Sequence, residues 1–141
     1  MPNVPWVILD VLPRMTDKFA RSLAGGPCVH LRRFRFGYGW ISGTCPNFTL
    51  QAPPPNTNDV PERVYEGIFG PSTLAVDGGK VVAKCVIPRG AVSAPVQVSA
   101  IALMDSEGEA IAAGSFLPGW LVPDGEFEVD CVLEMKYARG S

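Results

Sequence analysis

Val96-Gln-Val-Ser-Ala-Ile-Ala-Leu-Met104 runs into Asp105-Ser-Glu-Gly108 and out again through Ala110-Ile-Ala-Ala-Gly114, and the reading of this stretch decides the fold class. Its first arm is apolar with β-branched residues, its connection carries Asp, Ser, Glu and Gly, and Gly108 can supply the positive φ that a tight loop requires. The stretch therefore reads as a β-hairpin. Leu103 is expected in the core of the entering strand, Asp105 is expected to turn the chain through a side-chain to backbone hydrogen bond, and Gly108 is expected in a left-handed conformation.

Further strands lie on either side of the hairpin. Val64 to Phe69 is a short apolar run, and Asp77-Gly78-Gly79 reads as a turn into a strand over Lys80 to Ile87. In the last strand, Glu126 to Tyr137, the residues Phe127, Val129, Cys131, Leu133 and Met135 alternate with charged ones, a period of two broken only by Val132. Earlier in the chain, Met15, Phe19, Ala20 and Leu23 recur at helical spacing between Pro13 and Gly25-Gly26, which predicts one helix over Pro13 to Ala24 with those residues inward. Val29 to Phe36 alternates so that Arg33 and Arg35 share one face while Phe34 and Phe36 share the other. The prediction is an α+β single domain, mostly antiparallel β with one N-terminal helix.

Length and composition agree with that class. A chain of 141 residues fits one core, and 15 Gly with 14 Pro favour many turns joining short strands. Twelve basic and 14 acidic residues leave a formal net charge of −2, so no overall field attracts a polyanion, and nucleic acid is not an expected partner. No stretch approaches the roughly 20 apolar residues of a membrane span, and no basic region followed by an apolar one marks a leader, so synthesis in the cytoplasm is expected.

Residues 1–12 are punctuated by Pro2 and Pro5 and carry Trp6, Val7, Ile8, Leu9, Val11 and Leu12. So apolar an arm is expected either to pack as an edge strand or to dock on a neighbouring subunit, and its removal is expected to spare the β core. Trp6, Ile8 and Leu9 are its candidate partner-binding residues. Thr44 to Glu62, rich in Pro, Asn and Thr, is expected to be a long surface excursion or flexible loop, either contact-making or variable.

Few residues carry catalytic chemistry. Cys28, Cys45, Cys85 and Cys131 show no closely spaced metal-ligand pair, so buried free thiols are expected, with neither metal nor other cofactor. His30, the only histidine, has no nearby carboxylate in sequence and reads as structural. Asp105, Glu107 and Glu109 bracket a turn without the Asp-x-Asp-x-Asp-Gly order of a calcium loop, and a solvated hairpin tip accounts for them. Arg32-Arg-Phe-Arg-Phe-Gly-Tyr-Gly-Trp40 mixes arginines with aromatics as single-strand binders do, yet a second such strand is missing. A strand with its arginines toward a partner and its phenylalanines toward the core suffices. Catalysis is not expected, and functional residues are expected to be contact residues, Tyr38 and Trp40 among them.

The order of elements carries a resemblance. Thr16-Asp17-Lys18-Phe19-Ala20 opens a helix, Leu31 to Gly37 follows, Pro53-Pro54-Pro55 marks an excursion, and Lys80 to Pro88 leads by a loop to the Leu103-x-Asp105-x-x-Gly108 turn and Ile111-Ala112. Over roughly residues 16–136 this pattern resembles the N-terminal attachment (tail-collar) domain of phage tail fibres and contractile bacteriocin fibres. Where that family often carries Arg-Glu-x-Gly-Leu, this chain has Ser99-Ala100-Ile101-Ala102-Leu103, so no role of such an Arg-Glu pair is carried over. With residues 1–12 set apart as the apolar arm, the resemblance makes 13–141 the attachment domain. It also implies a place in the virion tail, with other tail or baseplate proteins and fibre subunits as partners, and homo-oligomerisation, with a trimer as first expectation. A receptor- or glycan-binding module using the 44–62 excursion with exposed Tyr38 and Trp40 is the alternative.

Overall fold

The structure, a computed structural model, describes residues 6–44, 47–70, 72–78 and 80–134. These form β1 (Trp6–Ile8), β2 (Asp10–Val11), α1 (Pro13–Leu23), β3 (Leu31–Gly37), β4 (Ile41–Thr44), β5 (Asn47–Leu50), β6 (Arg63–Ile68), β7 (Leu74–Asp77), β8 (Lys80–Ile87), β9 (Val96–Asp105), β10 (Ala110–Leu121) and β11 (Phe127–Glu134). One sheet has the order β1-β11-β8-β7 and a second the order β2-β10-β9-β3-β6, while β4 and β5 make a separate hairpin. Every pairing is antiparallel except that of β1 with β11. The chain is an α+β domain, mostly antiparallel β, with one helix near its N-terminus.

The core between the sheets follows from the period of two. Val129, Cys131 and Leu133 of β11 and Ala83, Cys85 and Ile87 of β8 face Phe36, Ile101 and Leu103 across the gap. Phe36 is its centre, with edge-on ring contacts to Phe34 at 5.7 Å, Phe127 at 5.7 Å and Phe116 at 6.3 Å. The same alternation turns Ala100, Ala102 and Met104 of β9 to the opposite side. There, with Leu12, Val60, Ala110 and Ala113, they form a second apolar layer against which Trp40 packs.

The 44–62 excursion supplies part of that second layer and is not simply a surface loop. β5 pairs with β4, Pro53 and Val60 are buried, and the Ala110 N–H donates to Asn58 Oδ1 at 3.1 Å. Ser115 Oγ donates to the Gln51 carbonyl at 2.9 Å, fixing the excursion to β10 a second time.

The N-terminal arm resolves to the edge-strand alternative. β1 is the edge of one sheet and β2 the edge of the other, so the chain crosses between the sheets at Leu9. The Leu9 N–H donates to the Val132 carbonyl at 3.0 Å and the Leu12 N–H to that of Ile111 at 2.9 Å. Leu9 is only 4% exposed, inside the core of its own chain, which removes it as a partner-binding residue; Ile8, on the outer face, is 69% exposed. The Trp6 side chain and residues 135–141, including Met135 and Tyr137, lie outside the described residues.

The helix has the expected extent but a different orientation. Leu12 is its N-cap, Pro13 stands in the first turn, and Thr16-Asp17 lies within the helix instead of capping it. Phe19 and Leu23 are exposed while Lys18 is buried, so the polar flank, not the apolar stripe, meets the protein.

Because the arm supplies an edge strand to both sheets, its removal is now expected to unfold the domain. Leu9→Ala should cost about 2 to 4 kcal/mol, as buried Leu to Ala changes do, read as a lower urea midpoint. Deletion of residues 2–12 should abolish the cooperative transition, and an unchanged transition would show both edge strands dispensable.

Candidate functional site

Asp105 closes β9 and organises the turn. Its Oδ1 accepts the N–H groups of Glu107 at 3.1 Å and Glu109 at 2.9 Å, and its carbonyl accepts the Gly108 N–H at 3.1 Å. Gly108 sits at φ +81°, a conformation a side chain at Cβ disfavours, and Leu103 is fully buried behind the turn. The Ser106 N–H reaches the His30 carbonyl at 3.0 Å, tying the tip to the segment that enters β3; the His30 side chain is exposed.

Into this tip α1 inserts Lys18. Its Nζ lies 2.8 Å from Asp105 Oδ2, 2.7 Å from Glu107 Oε1 and 2.7 Å from Glu109 Oε1. An ammonium has three N–H donors, and here each meets a carboxylate. Lys18 is 3% exposed and Asp105 2%, so a lone charge at either position would be costly to desolvate. Burial opposes the Lys18 charge, but hydrogen bonds to Asp105, Glu107 and Glu109 outweigh it and raise its pKa well above the ordinary lysine value. Burial likewise pushes the Asp105 carboxyl up, and Lys18 with the Glu109 and Glu107 N–H groups more than reverses this, holding it below the usual range. Glu109 is held low by Lys18.

The three acidic residues are therefore not merely a solvated tip. They form a cage whose centre, where a bound cation would lie, is filled by the Lys18 ammonium. A lysine held so firmly in its charged form is a clamp between helix and hairpin, unsuited to act as base or nucleophile.

Arg33 and Arg35 of the basic-aromatic strand are neutralised within the chain. Phe34 and Phe36 face the core, and on the other side Arg35 Nε lies 2.5 Å from Glu66 Oε2, Arg33 Nη1 3.2 Å from Glu66 Oε1, and Arg35 Nη1 3.2 Å from Asp59 Oδ2. The Arg35 guanidinium pulls the Glu66 carboxyl below its ordinary range, and Glu66 raises Arg35 in return. Two of the arginines expected to face a partner thus hold a neighbouring strand and loop.

Tyr38 and Trp40 are half-buried, not exposed as the platform reading required. Trp40 sits at φ +53° on the second apolar layer, held by the Gln51 N–H to its carbonyl at 2.8 Å. Between the two, buried Ser99 accepts the Gly39 N–H at 2.8 Å and donates to the Gly39 carbonyl at 2.8 Å. Chain approach here is close, since a Cβ at Gly37 would stand 2.2 Å from the Pro61 carbonyl oxygen. Ile8 belongs to the outer face of the first sheet and Trp40 to the outer side of the second, so the structure does not unite the candidate contact residues. Sequence reading missed Trp120, 65% exposed beyond a register shift between Ser115 and Gly119, where Pro118 interrupts the apolar run.

Cys85 and Cys131 are buried free thiols with Sγ atoms 3.9 Å apart, and burial pushes the Cys85 thiol up; Cys28 is exposed and Cys45 lies outside the described residues. Among the described residues no group of three His, Cys, Asp or Glu could hold a metal ion, and no helix is long and apolar enough to cross a membrane. Comparison of the chain with protein families, curated proteins and solved structures finds no match.

Two outcomes follow for the clamp. Lys18→Met leaves Asp105 buried without its cation and should cost about 3 to 5 kcal/mol in chemical denaturation, as breaking a buried pair does. Since the folded Asp105 value lies below the unfolded one, its stabilisation is complete above about pH 4 and fades as pH falls through the folded value. Asp105→Asn should flatten that acid limb, and an unchanged limb would exclude Asp105 as its source. Separately, Gly108→Val should cost about 1 to 2 kcal/mol by placing a β-branched residue at positive φ.

Proposed function

We propose that this chain is a structural attachment or adaptor module of a phage tail, joining receptor-binding fibres to the baseplate or tail tip. What carries the reading is the Leu103-x-Asp105-x-x-Gly108 turn, which marks the resemblance and which the fold makes rigid. Asp105 nucleates the turn, Gly108 takes its left-handed position, and Lys18 locks the tip to the helix. A hairpin whose tip is exposed at Ser106 to Gly108 and fixed at both its backbone and its side chains suits a load-transmitting contact, because a pre-ordered surface loses little entropy on docking. The glycan-platform alternative is weakened by the half-burial of Tyr38 and Trp40.

The test is co-sedimentation of an affinity-tagged chain with tail particles from cells that make both. Recovery at a fixed copy number per particle is expected, with loss of that association in Gly108→Val protein that still folds. Particles complete without the chain, and the chain only in the soluble fraction, would end the proposal.

A further inference from the structure

The two sides of the sandwich are unlike. On one side the edges are β1 and β2, three and two residues long, between which the arm crosses from sheet to sheet; on the other, the edges are β6 and β7. β6 carries the Arg63 and Glu66 charges of the ion network, which discourage strand addition. β7, Leu74-Ala75-Val76-Asp77, has a single charge at its end, no proline, and no register shift against β8.

The ladder shows which groups point outward. The Lys84 N–H donates to the Thr73 carbonyl at 2.8 Å, and the register continues Leu74↔Ala83, Ala75↔Val82, Val76↔Val81, Asp77↔Lys80. Antiparallel pairs alternate between bonded and non-bonded, so Ala75 and Asp77 bond to β8 while Leu74 and Val76 aim their N–H and C=O groups off the sheet. Among the described residues no strand receives them. Val76, on the same face as half-buried Leu74, is 80% exposed.

We infer that β7 is a dimerisation edge that pairs antiparallel with β7 of a second copy about a two-fold axis through Ala75. In that register Leu74 lies opposite Val76 of the second copy and Val76 opposite its Leu74. Each pair exchanges two N–H···O bonds, using the outward groups of both residues. Val76 then covers the half-buried Leu74 of the other chain. Ala75 meets its own equivalent in a non-bonded pair, where side chains are closest and a small residue fits. The occupant is a second copy because the strand complements itself in both backbone direction and side-chain size. The outer-face row Ile8, Val132, Val82 and Ala75 becomes continuous across an eight-stranded sheet. This inference rests on the ladder alone, independently of the tail-attachment reading.

Sedimentation equilibrium across a concentration series tests it. The intact chain should show a monomer–dimer equilibrium. Val76→Pro removes an outward N–H while leaving the β8 bonds in place, and Val76→Lys keeps the backbone but removes the apolar cover. Each should weaken dimerisation at least about tenfold, or 1.4 kcal/mol, with an unchanged circular dichroism spectrum. In a chain with Cys28 and Cys45 replaced by Ser, Ala75→Cys should give a disulfide dimer under mild oxidation, because cross-axis Cα atoms in a non-bonded pair lie within bridging distance. A chain that is monomeric throughout, a trimer, or a dimer undisturbed by both Val76 variants and not cross-linked through Ala75→Cys would overturn the inference.

Discussion

Burial of β9 on both faces is the constraint on which the rest of the structure depends. A strand at the middle of a two-sheet sandwich needs cover on one side only, because its other side can be solvated. In β9 the bulky Ile101 and Leu103 fill the gap between the sheets, whereas Ala100 and Ala102 alternate with them on the far side. Small residues there let other chain segments approach closely, and Leu12, Val60 and Trp40 do so. Helix, arm and excursion are thus drawn to one face of one sheet. This is why the domain is a sandwich with a third layer on a single side.

That third layer brings an electrostatic problem with it. α1 comes down beside β10 with Lys18 inward, and a buried ammonium without partners would be strongly unfavourable. The hairpin tip resolves it with three carboxylates, of which Asp105 is also the residue that turns the chain. One side chain therefore performs both tasks, using Oδ1 for the backbone and Oδ2 for the cation. Such an ion cage need not exceed an apolar contact in stability. Its particular effect is on geometry, since few positions of helix and hairpin satisfy all three oxygen contacts together.

The parts legible in sequence were those governed by local chemistry. The alternation of β11, the Asp77-Gly78 turn, the limits of α1 between Pro13 and Gly25, and the Leu103, Asp105 and Gly108 positions each depend on a few neighbouring residues. The cage was not legible, because Lys18 and Glu107 are 89 residues apart and a lysine beside Phe19 on an amphipathic helix ordinarily faces water. The helix orientation failed for the same reason: periodicity shows that a helix has two faces, but only tertiary contacts decide which is turned inward. Arg33 and Arg35 read as free for a partner because Glu66 and Asp59 reach them only once β3 and β6 are paired. The arm's two outcomes, edge strand or docking segment, differ only in whose sheet supplies the hydrogen bonds, and side-chain pattern cannot distinguish those.

The position of the arm also bears on how contacts can form. By bonding to β11 and β10 at once, residues 6–12 staple the two sheets along one side, and because the chain changes sheet at Leu9 the edges it presents there are only three and two residues long. Charge defends β6, and α1 with the excursion covers the outside of its sheet. What remains is the first sheet, whose outer face no other described element covers, with Ile8 at one margin and β7 at the other. Among these edges β7 is the one longer than three residues whose single charge stands at its end, so a partner that added by backbone pairing would meet it first, while one that bound through side chains would meet the hairpin tip or the outer face. The fold separates these two modes of contact onto different elements, so occupation of one leaves the other open.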